Sequence, residues 1–213
     1  MSEVSETWLR SRADEVVHRD AEAIKALTEC VDAQWLRVVD LLLHCKGHVL
    51  VTGAGTSHAV AQRLAHLLSC SGTPALSISA ADAMHGGSGA VTEDDLVYAI
   101  SKGGHSAEVN GFVKIAKSRG AAIVAQSETL DSPLAVMSDA VLLVPKAEGI
   151  DPYGMVATGS SLVASAVGNV LCAVLLEARG YTREAFGETH PSGAVGRRIA
   201  GETENDQESG SGQ

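Results

Sequence analysis

The first part of the chain has the hydrophobic spacing of α-helices. Ala21, Ile24 and Leu27 recur on one helical face, and the period resumes after a break near Asp32. We therefore predict two consecutive helices between about residues 4 and 43, ahead of the first strand.

Short apolar runs then alternate with longer stretches of helical period. The apolar runs predict five strands, at Val49–Val51, Ala75–Ser79, Leu96–Ile100, Ala122–Ala125 and Ala140–Val144. The other stretches predict helices at Ser57–Ser71, Ala107–Arg119, just after Ser132-Pro133, Thr158–Ala178, Thr182–Gly187 and Ala194–Ile199. This alternation predicts an α/β fold, a three-layer sandwich in which helices flank five mostly parallel strands.

A single domain accounts for this pattern. The chain has 213 residues, of which 45% are hydrophobic and 20% charged, enough for one α/β domain with a substantial core. We assign residues 1–46 to N-terminal helices that pack on the domain, residues 47–200 to the domain itself and residues 201–213 to a disordered acidic tail.

The charge of the chain argues against two classes of partner. Its formal net charge is −10, whereas nucleic acid and anionic membranes require a basic surface. The apolar stretch Leu162–Leu176 falls short of the roughly 18 residues of a membrane span and contains Ser165 and Asn169. We therefore expect a buried helix there, and no nucleic acid or membrane partner.

The cysteines and the N-terminus indicate a cytoplasmic protein. The N-terminal residues are acidic and have no apolar core, so they do not form a secretory signal. The four cysteines stand singly in apolar or helical stretches, without the spacing of a disulfide framework or a CxxC motif, which favours reduced thiols. They are Cys30, Cys45, Cys70 and Cys172.

Two glycine-containing turns directly follow predicted strands. The first is Thr52–Ser57 and the second is Ser101–Ser106. The carboxyl ends of parallel strands share one edge of a sheet, where α/β folds bind ligands, so we expect the turns to lie together. Turn N–H groups, hydroxyls and helix N-termini all suit phosphate. The predicted binding residues in the two turns are Gly53, Gly55, Thr56, Ser57, Ser101, Lys102, Gly104, His105 and Ser106.

Neither turn is a nucleotide-binding motif. The first turn lacks the Gly-Lys-Ser/Thr of a P-loop and the third glycine of a dinucleotide fingerprint. Either turn alone could serve only to reverse the chain tightly, but two turns with hydroxyls favour phosphate binding. Thr52 offers a further hydroxyl and Lys102 a cation.

Six segments, in order along the chain, carry a family resemblance. They are Gly47–Gly55, Gly72–Pro74, Ala81–Gly86, Ala99–Ser101, Ala178–Thr182 and His190–Arg197. Through them the chain, from about Arg19 to Ile199, resembles the sugar isomerase (SIS) domain family. It is most similar to the SIS domain of arabinose 5-phosphate isomerases, without their C-terminal pair of CBS modules.

This resemblance implies a fold, a ligand and an assembly. The fold is a flavodoxin-like sandwich around a five-stranded parallel sheet. The ligand is a sugar phosphate, held at its phosphate by Ser57, Ser101 and Ser106. The assembly is a homo-oligomer, a dimer or tetramer, with the site between subunits.

The resemblance also implies three catalytic residues, Glu108, His85 and His190. Aldose–ketose interconversion needs a base that moves a proton between C1 and C2 through an enediol, for which Glu108 is our candidate. His190 is our candidate acid/base for ring opening, since imidazole exchanges protons near neutral pH. His85 would bind a sugar hydroxyl or the neighbouring subunit. Without the family, Glu108 would suit a role as helix-dipole partner and both histidines a structural role.

The chain departs from the isomerase pattern around the sugar. Thr56 stands where the branch has a lysine, Lys102 where asparagine is usual, and His105 where glutamate is frequent. Glu148 or Asp151 would supply the family's second acid, and the sequence does not decide between them. We therefore expect the phosphate site to be retained and the sugar to differ from arabinose 5-phosphate.

A divalent metal is a weaker hypothesis. The residues that would have to converge on it are His58, His85, His105 and His190, with Glu108 or Asp151. Their spacing gives no closed ligand set, and neither HExxH nor a helical His-x-x-x-His pair is present. We therefore expect no metal and no other cofactor.

The sequence thus predicts an aldose–ketose isomerase of a sugar phosphate, an intramolecular oxidoreductase. Two alternatives remain open. One is a non-catalytic, regulatory protein that binds a sugar phosphate, although the acidic charge argues against direct binding to DNA. The other is an epimerase or lyase that uses the same type of intermediate.

Overall fold

The computed structural model describes residues 4–147, 153–191 and 196. The strands are β1 (Val49–Gly53), β2 (Ala75–Ser77), β3 (Leu96–Ile100), β4 (Ala122–Ser127) and β5 (Ala140–Leu143). The helices are α1 (Glu6–Lys25), α2 (Ala33–His44), α3 (Thr56–Cys70), α4 (Ala80–Met84), α5 (Ala107–Ser118), α6 (Pro133–Met137), α7 (Thr158–Ala178) and α8 (Arg183–Thr189). Short 3-10 helices span Ala26–Cys30 and Gly87–Ala90.

The five strands form one parallel sheet in the order β2-β1-β3-β4-β5. This is the flavodoxin-like order, in which the chain moves first to one side of β1 and then to the other. The predicted fold class is confirmed, and the sheet is entirely parallel. Its topological switch point lies between β1 and β3, where open parallel sheets bind their ligands.

The sheet is covered on both faces, and each face has its own hydrophobic cluster. Val49 and Val51 of β1 face helices α2, α3 and α7, whereas Leu50 faces α4, α5 and α6. All five residues of β1 and of β3 are buried. Burial on both faces explains why these strands read as continuous apolar runs rather than alternating ones.

The helix boundaries follow from local capping. Asp32 accepts a hydrogen bond from the N–H of Gln34 and begins α2, which explains the predicted break. Ser132 caps α6 in the same way, with Pro133 in the first turn. Between α1 and α2, the 3-10 helix Ala26–Cys30 takes the place of a simple loop.

Two elements differ from the sequence prediction. Strand β2 ends at Ser77 rather than Ser79, because Ser79 accepts a hydrogen bond from the N–H of Asp82 and starts α4, a helix the sequence did not predict. Helix α4 has five residues, too few for a helical period to be visible. Helix α8 starts and ends slightly later than the predicted Thr182–Gly187. The predicted helix at Ala194–Ile199 and the acidic tail lie outside the described residues, apart from Gly196.

Helix α7 is the one described helix that is long and apolar enough to cross a membrane by length and composition. About 44% of its most apolar part is buried within this chain. Its Gly168 faces Leu64 of α3, and Arg63 of α3 donates hydrogen bonds to the carbonyl of Ser165 and the side chain of Asn169. These contacts are those of a helix packed on the domain, as the sequence predicts, with one side left open.

The turn before β3 depends on one buried carboxylate. Asp95 accepts hydrogen bonds from the N–H of His48 at 2.7 Å and from the N–H and hydroxyl of Thr92 at 2.7 and 2.9 Å. Burial raises the pKa of Asp95, but these hydrogen bonds outweigh it and hold the pKa below its ordinary value.

We expect Asp95→Asn to lower the free energy of unfolding by about 2 kcal/mol at neutral pH, because the amide N–H₂ then faces the N–H and O–H donors of His48 and Thr92. The pKa is lower in the folded state than the unfolded value of about 3.9, so this contribution is present above about pH 4 and is lost as the pH falls through the folded-state pKa. Urea unfolding at neutral and acidic pH measures both effects. The control is Asp94→Asn at the exposed neighbouring residue, and equal effects of the two variants at neutral pH would contradict the prediction.

Candidate functional site

The two glycine turns lie side by side at the carboxyl edge of the sheet. Thr52 pairs with Ala99 and Gly53 with Ile100, so both strands end at the same level, at the switch point between β1 and β3. The predicted adjacency of the turns is confirmed. A cavity of about 60 Å³ opens to solvent beside them.

The pocket combines residues from the ends of three strands and the starts of two helices. Hydroxyl groups, one lysine, one glutamate and one amide line it together with small apolar residues. The lining residues are Thr56, Ser57, Val60, Ile100, Lys102, Gln126, Ser127, Glu128, Val144, Ala157, Ser160, Ser161 and Ala164.

The first turn presents a helix N-terminus to this pocket. Gly53 packs so closely that an added Cβ would lie 2.7 Å from the backbone carbonyl of Ser57. Gly55 is the N-cap residue of α3 with φ of 56°, a left-handed value that favours glycine, and no side chain caps the helix. The N-terminus of α3 therefore remains suited to an anion, with Thr56 and Ser57 on its first turn. Thr52 is fully buried and does not line the pocket, so its predicted role as a hydroxyl donor is not supported.

The second turn brings two serine hydroxyls together. Ser101 is buried and Ser106 half-buried, and their Oγ atoms lie 3.3 Å apart. Gly104 has φ of 69°, and an added Cβ would overlap the side chain of Ser132. Ser106 is the N-cap residue of α5 but makes no side-chain capping bond. Its hydroxyl and that of Ser101 can therefore both turn towards a shared anion.

Lys102 and Glu128 place opposite charges in the pocket. The N–H of Glu128 donates to the carbonyl of Lys102 at 2.9 Å, and the hydroxyl of Ser127 donates to the same carbonyl at 3.0 Å. Burial raises the pKa of Glu128, and the nearby Lys102 and Lys146 and the N–H of Ala147 partly offset that rise.

The sequence pattern alone did not single out Glu128 or Gln126. Gln126 accepts a hydrogen bond from the hydroxyl of Tyr98 at 2.8 Å and donates to the carbonyl of Ala164 at 3.2 Å, so it joins β3, β4 and α7 beneath the pocket. Burial raises the pKa of Tyr98, which keeps this hydroxyl a donor. One signal was available: Glu128 follows a strand at the same edge as the two turns.

The predicted base and two of the predicted histidines lie outside the pocket of a single chain. Glu108 is in the first turn of α5 and is exposed, as are His85 and His105. Helix α5 covers one face of the sheet, and α3 and α7 cover the opposite face. Glu108, in the first turn of α5, therefore lies on the other face of the sheet from the helices that line the pocket. Glu108 lies at the same edge of the sheet as the two turns but is not among the lining residues.

His190 lies at the opposite end of α3. Its Nε2 is 3.5 Å from Sγ of Cys70, the last residue of α3, whereas Thr56 at the other end lines the pocket. Fifteen helical residues separate these ends by about 20 Å. The ring stacks on Phe186, and its Nδ1 lies 3.0 Å from the carbonyl of that residue. One chain therefore does not bring His190 to its own pocket.

Two further predictions concern the second acid and the ligands of a metal ion. Glu148 and Asp151, the alternatives for the second acid, lie outside the described residues. In the part of the chain that the structure describes, no group of three or more His, Cys, Asp or Glu side chains is placed to hold a metal ion.

Comparison with known proteins adds a family. Residues 42–175 match the SIS domain. Over 187 residues the chain is 33% identical to the arabinose 5-phosphate isomerase KdsD of Pseudomonas aeruginosa, with 88% of this chain and 57% of that protein covered. The chain thus spans less than two thirds of the length of this curated relative.

Solved structures agree with the fold. The Escherichia coli CFT073 protein c3406, solved with a bound sugar phosphate, has a TM-score of 0.85 at 28% identity, covering 88% of this chain and 100% of its own. The sugar isomerase domain of an RpiR transcription factor from Sphaerobacter thermophilus has a TM-score of 0.59 at 22% identity, covering 80% of this chain and 98% of its own. The second likeness is one of fold alone.

Proposed function

Because this chain belongs to the SIS domain family, we propose that it is an isomerase that interconverts an aldose phosphate and a ketose phosphate through an enediol. The observation that carries the proposal is the junction of the two turns at one edge of the sheet: Ser57 and the N-terminus of α3 line the pocket, and the neighbouring second turn brings the hydroxyls of Ser101 and Ser106 together. Curated relatives at about a third identity are arabinose 5-phosphate isomerases. This chemistry needs no redox cofactor.

The phosphate of the substrate would bind at the turns. Ser57 lies on the first turn of α3, and Ser101 and Ser106 face each other at the start of α5. A phosphate accepts hydrogen bonds from hydroxyls, and the dipole of the helix favours its charge. Lys102 lines the same pocket and would add a cation.

The catalytic groups would come from two chains. Glu108 starts α5 directly after the phosphate turn, where it would act as the base between C1 and C2. His190 would serve ring opening in the site of a second copy, because it lies about 20 Å from the pocket of its own chain. His85, exposed after α4, would contact a sugar hydroxyl or the second copy.

Apolar side chains on the surface support such an assembly. On α1, Trp8 is 56% and Leu9 55% exposed, and α7 leaves Val170 and Val174 partly uncovered. Exposed apolar residues of this size, on two helices that contact each other, are typical of an interface between subunits. We propose a homodimer or tetramer, and a cytoplasmic location consistent with four free cysteines.

The substrate would differ from arabinose 5-phosphate. Thr56, Lys102 and Glu128 line the same pocket as Ser57, so their charges and sizes would affect which sugar binds there. A lysine on the second turn, rather than on the first, moves the cation across the pocket.

Solvent hydrogen exchange tests the proposed activity. We expect the purified protein, incubated in D₂O with tetrose, pentose and hexose phosphates, to incorporate deuterium at C1 or C2 of at least one sugar and to form the matching ketose or aldose, as followed by NMR. Absence of exchange with every sugar would refute the isomerase. Binding without exchange would instead favour a regulatory protein, and exchange without isomerised product an epimerase or lyase.

A further inference from the structure

Glu128 is an acidic side chain inside a pocket that otherwise suits an anion. It follows β4, is half-buried and lines the pocket together with Lys102 and the hydroxyls of the first turn. A carboxylate repels a phosphate at close range, and the repulsion grows as water is excluded. Glu128 must therefore face a part of the ligand other than its phosphate.

Hydrogen bonds hold the backbone of Glu128 next to the second turn. Its N–H and the hydroxyl of Ser127 both donate to the carbonyl of Lys102. The N–H of Ser101 also donates to the carbonyl of Gln126, the residue before Ser127 in β4. The loop after β4 and the second turn are thus joined by three hydrogen bonds. These bonds hold the backbone of Glu128 next to the second turn, which carries Ser101 and Ser106.

The charges around Glu128 favour its ionised form. Burial raises the pKa of the carboxyl above its ordinary value, and Lys102, Lys146 and the N–H of Ala147 offset part of that rise. An ionised carboxylate only accepts hydrogen bonds, and it can accept from two neighbouring hydroxyls at once. It cannot accept from a second anionic group.

We propose that Glu128 determines the substrate class of this pocket: it accepts hydrogen bonds from hydroxyls at the neutral end of a singly phosphorylated sugar and excludes ligands with a second anionic group. The proposal rests on the proposed function in taking the ligand to be a sugar phosphate. In this proposal Ser57, Ser101 and Ser106 bind the phosphate, and Lys102 offsets the negative charge of the ligand. Glu128 accepts hydrogen bonds from the hydroxyls of the sugar. Exclusion follows because a second phosphate or a carboxylate would be desolvated beside a like charge.

Equilibrium binding to Glu128→Gln tests the first half. By isothermal titration calorimetry we expect this variant to bind ribulose 5-phosphate and arabinose 5-phosphate about tenfold more weakly than the parent chain, since hydrogen bonds to a charged acceptor are lost. Its affinity for inorganic phosphate should change less than about twofold. Glu93→Gln, an exposed residue before β3, is the matched control and should change neither affinity.

A matched pair of ligands tests the second half. Ribulose 1,5-bisphosphate differs from ribulose 5-phosphate only by the second phosphate. The parent chain should bind the bisphosphate more weakly than the monophosphate, and Glu128→Gln should bind the bisphosphate at least about tenfold more tightly than the parent chain does. Lys102→Met should instead lower the affinities for inorganic phosphate, ribulose 5-phosphate and ribulose 1,5-bisphosphate together, because it removes a positive charge from the pocket.

Three results would overturn the proposal. In Glu128→Gln, these are equal changes in the affinities for inorganic phosphate and for the sugar monophosphates, or a ratio of bisphosphate to monophosphate affinity that is the same as in the parent chain. The third is a parent chain that binds no sugar phosphate more tightly than inorganic phosphate. None of these measurements involves turnover. A chain that binds as expected but exchanges no hydrogen would refute the isomerase and leave the role of Glu128 intact.

Discussion

Replacing Ser57 and Ser106 together by alanine is expected to weaken sugar phosphate binding about a thousandfold. Each serine would donate a hydrogen bond to a charged phosphate, worth about 1.5–3 kcal/mol, and a loss of 1.4 kcal/mol is tenfold in affinity. The two residues stand on different turns, so the double variant removes one hydroxyl donor from each turn. Affinity for the dephosphorylated sugar should change less than about threefold.

The control for this variant keeps the number of lost hydroxyls constant. Ser118 and Ser138 donate only to nearby backbone carbonyls, away from the pocket, and their double alanine variant should bind as the parent chain does. Titration calorimetry with the sugar phosphate and with the free sugar measures the difference. Equal losses for the two ligands would contradict phosphate recognition by the turns.

Glu108→Gln is expected to lower turnover by a factor of about 10² to 10⁴ while changing substrate affinity less than about threefold. Glutamine keeps the size and polarity of the side chain but cannot take a proton from C1 or C2. Hydrogen exchange with the sugar phosphate identified in the parent chain measures turnover, and calorimetry measures binding. Unchanged turnover would remove Glu108 as the base.

The alternative role of Glu108, as partner of the helix dipole, has its own control. Glu6 is likewise an acidic residue in the first turn of a helix, α1, and is exposed. Glu6→Gln and Glu108→Gln should each lower the free energy of unfolding by less than about 1 kcal/mol, but only Glu108→Gln should lower turnover. A loss of stability without a loss of turnover at Glu108 would support the dipole role.

Mixing variants separates the contributions of two chains. If Glu108 of one copy works with His190 of another, subunits carrying Glu108→Gln and subunits carrying His190→Ala will form some mixed sites in which both residues are native. Random exchange in a dimer would restore about a quarter of the sites. No recovery after demonstrated subunit exchange would contradict the shared site.

The sequence predicted the sheet well because its signals are local. Strand β3 and helix α7 have the predicted bounds, since continuous apolar runs and long helical periods are properties of neighbouring residues. Helix α4 was missed because five residues carry no period and its capping serine had been counted in the strand before it. The boundaries depend on single hydrogen bonds, such as that accepted by Ser79, which the pattern does not reveal.

The sequence by itself determined that two glycine turns end parallel strands and that hydroxyls accompany them, because glycine and serine at the end of a buried strand have a restricted set of uses. Only the tertiary structure decided which side chains share the pocket. The N–H of Glu128, after β4, donates to the carbonyl of Lys102, after β3, and so the two residues lie side by side. His190 lies at the end of α3 away from the pocket. Such distances depend on how whole elements pack, and residues far apart in the chain carry no local sign of them.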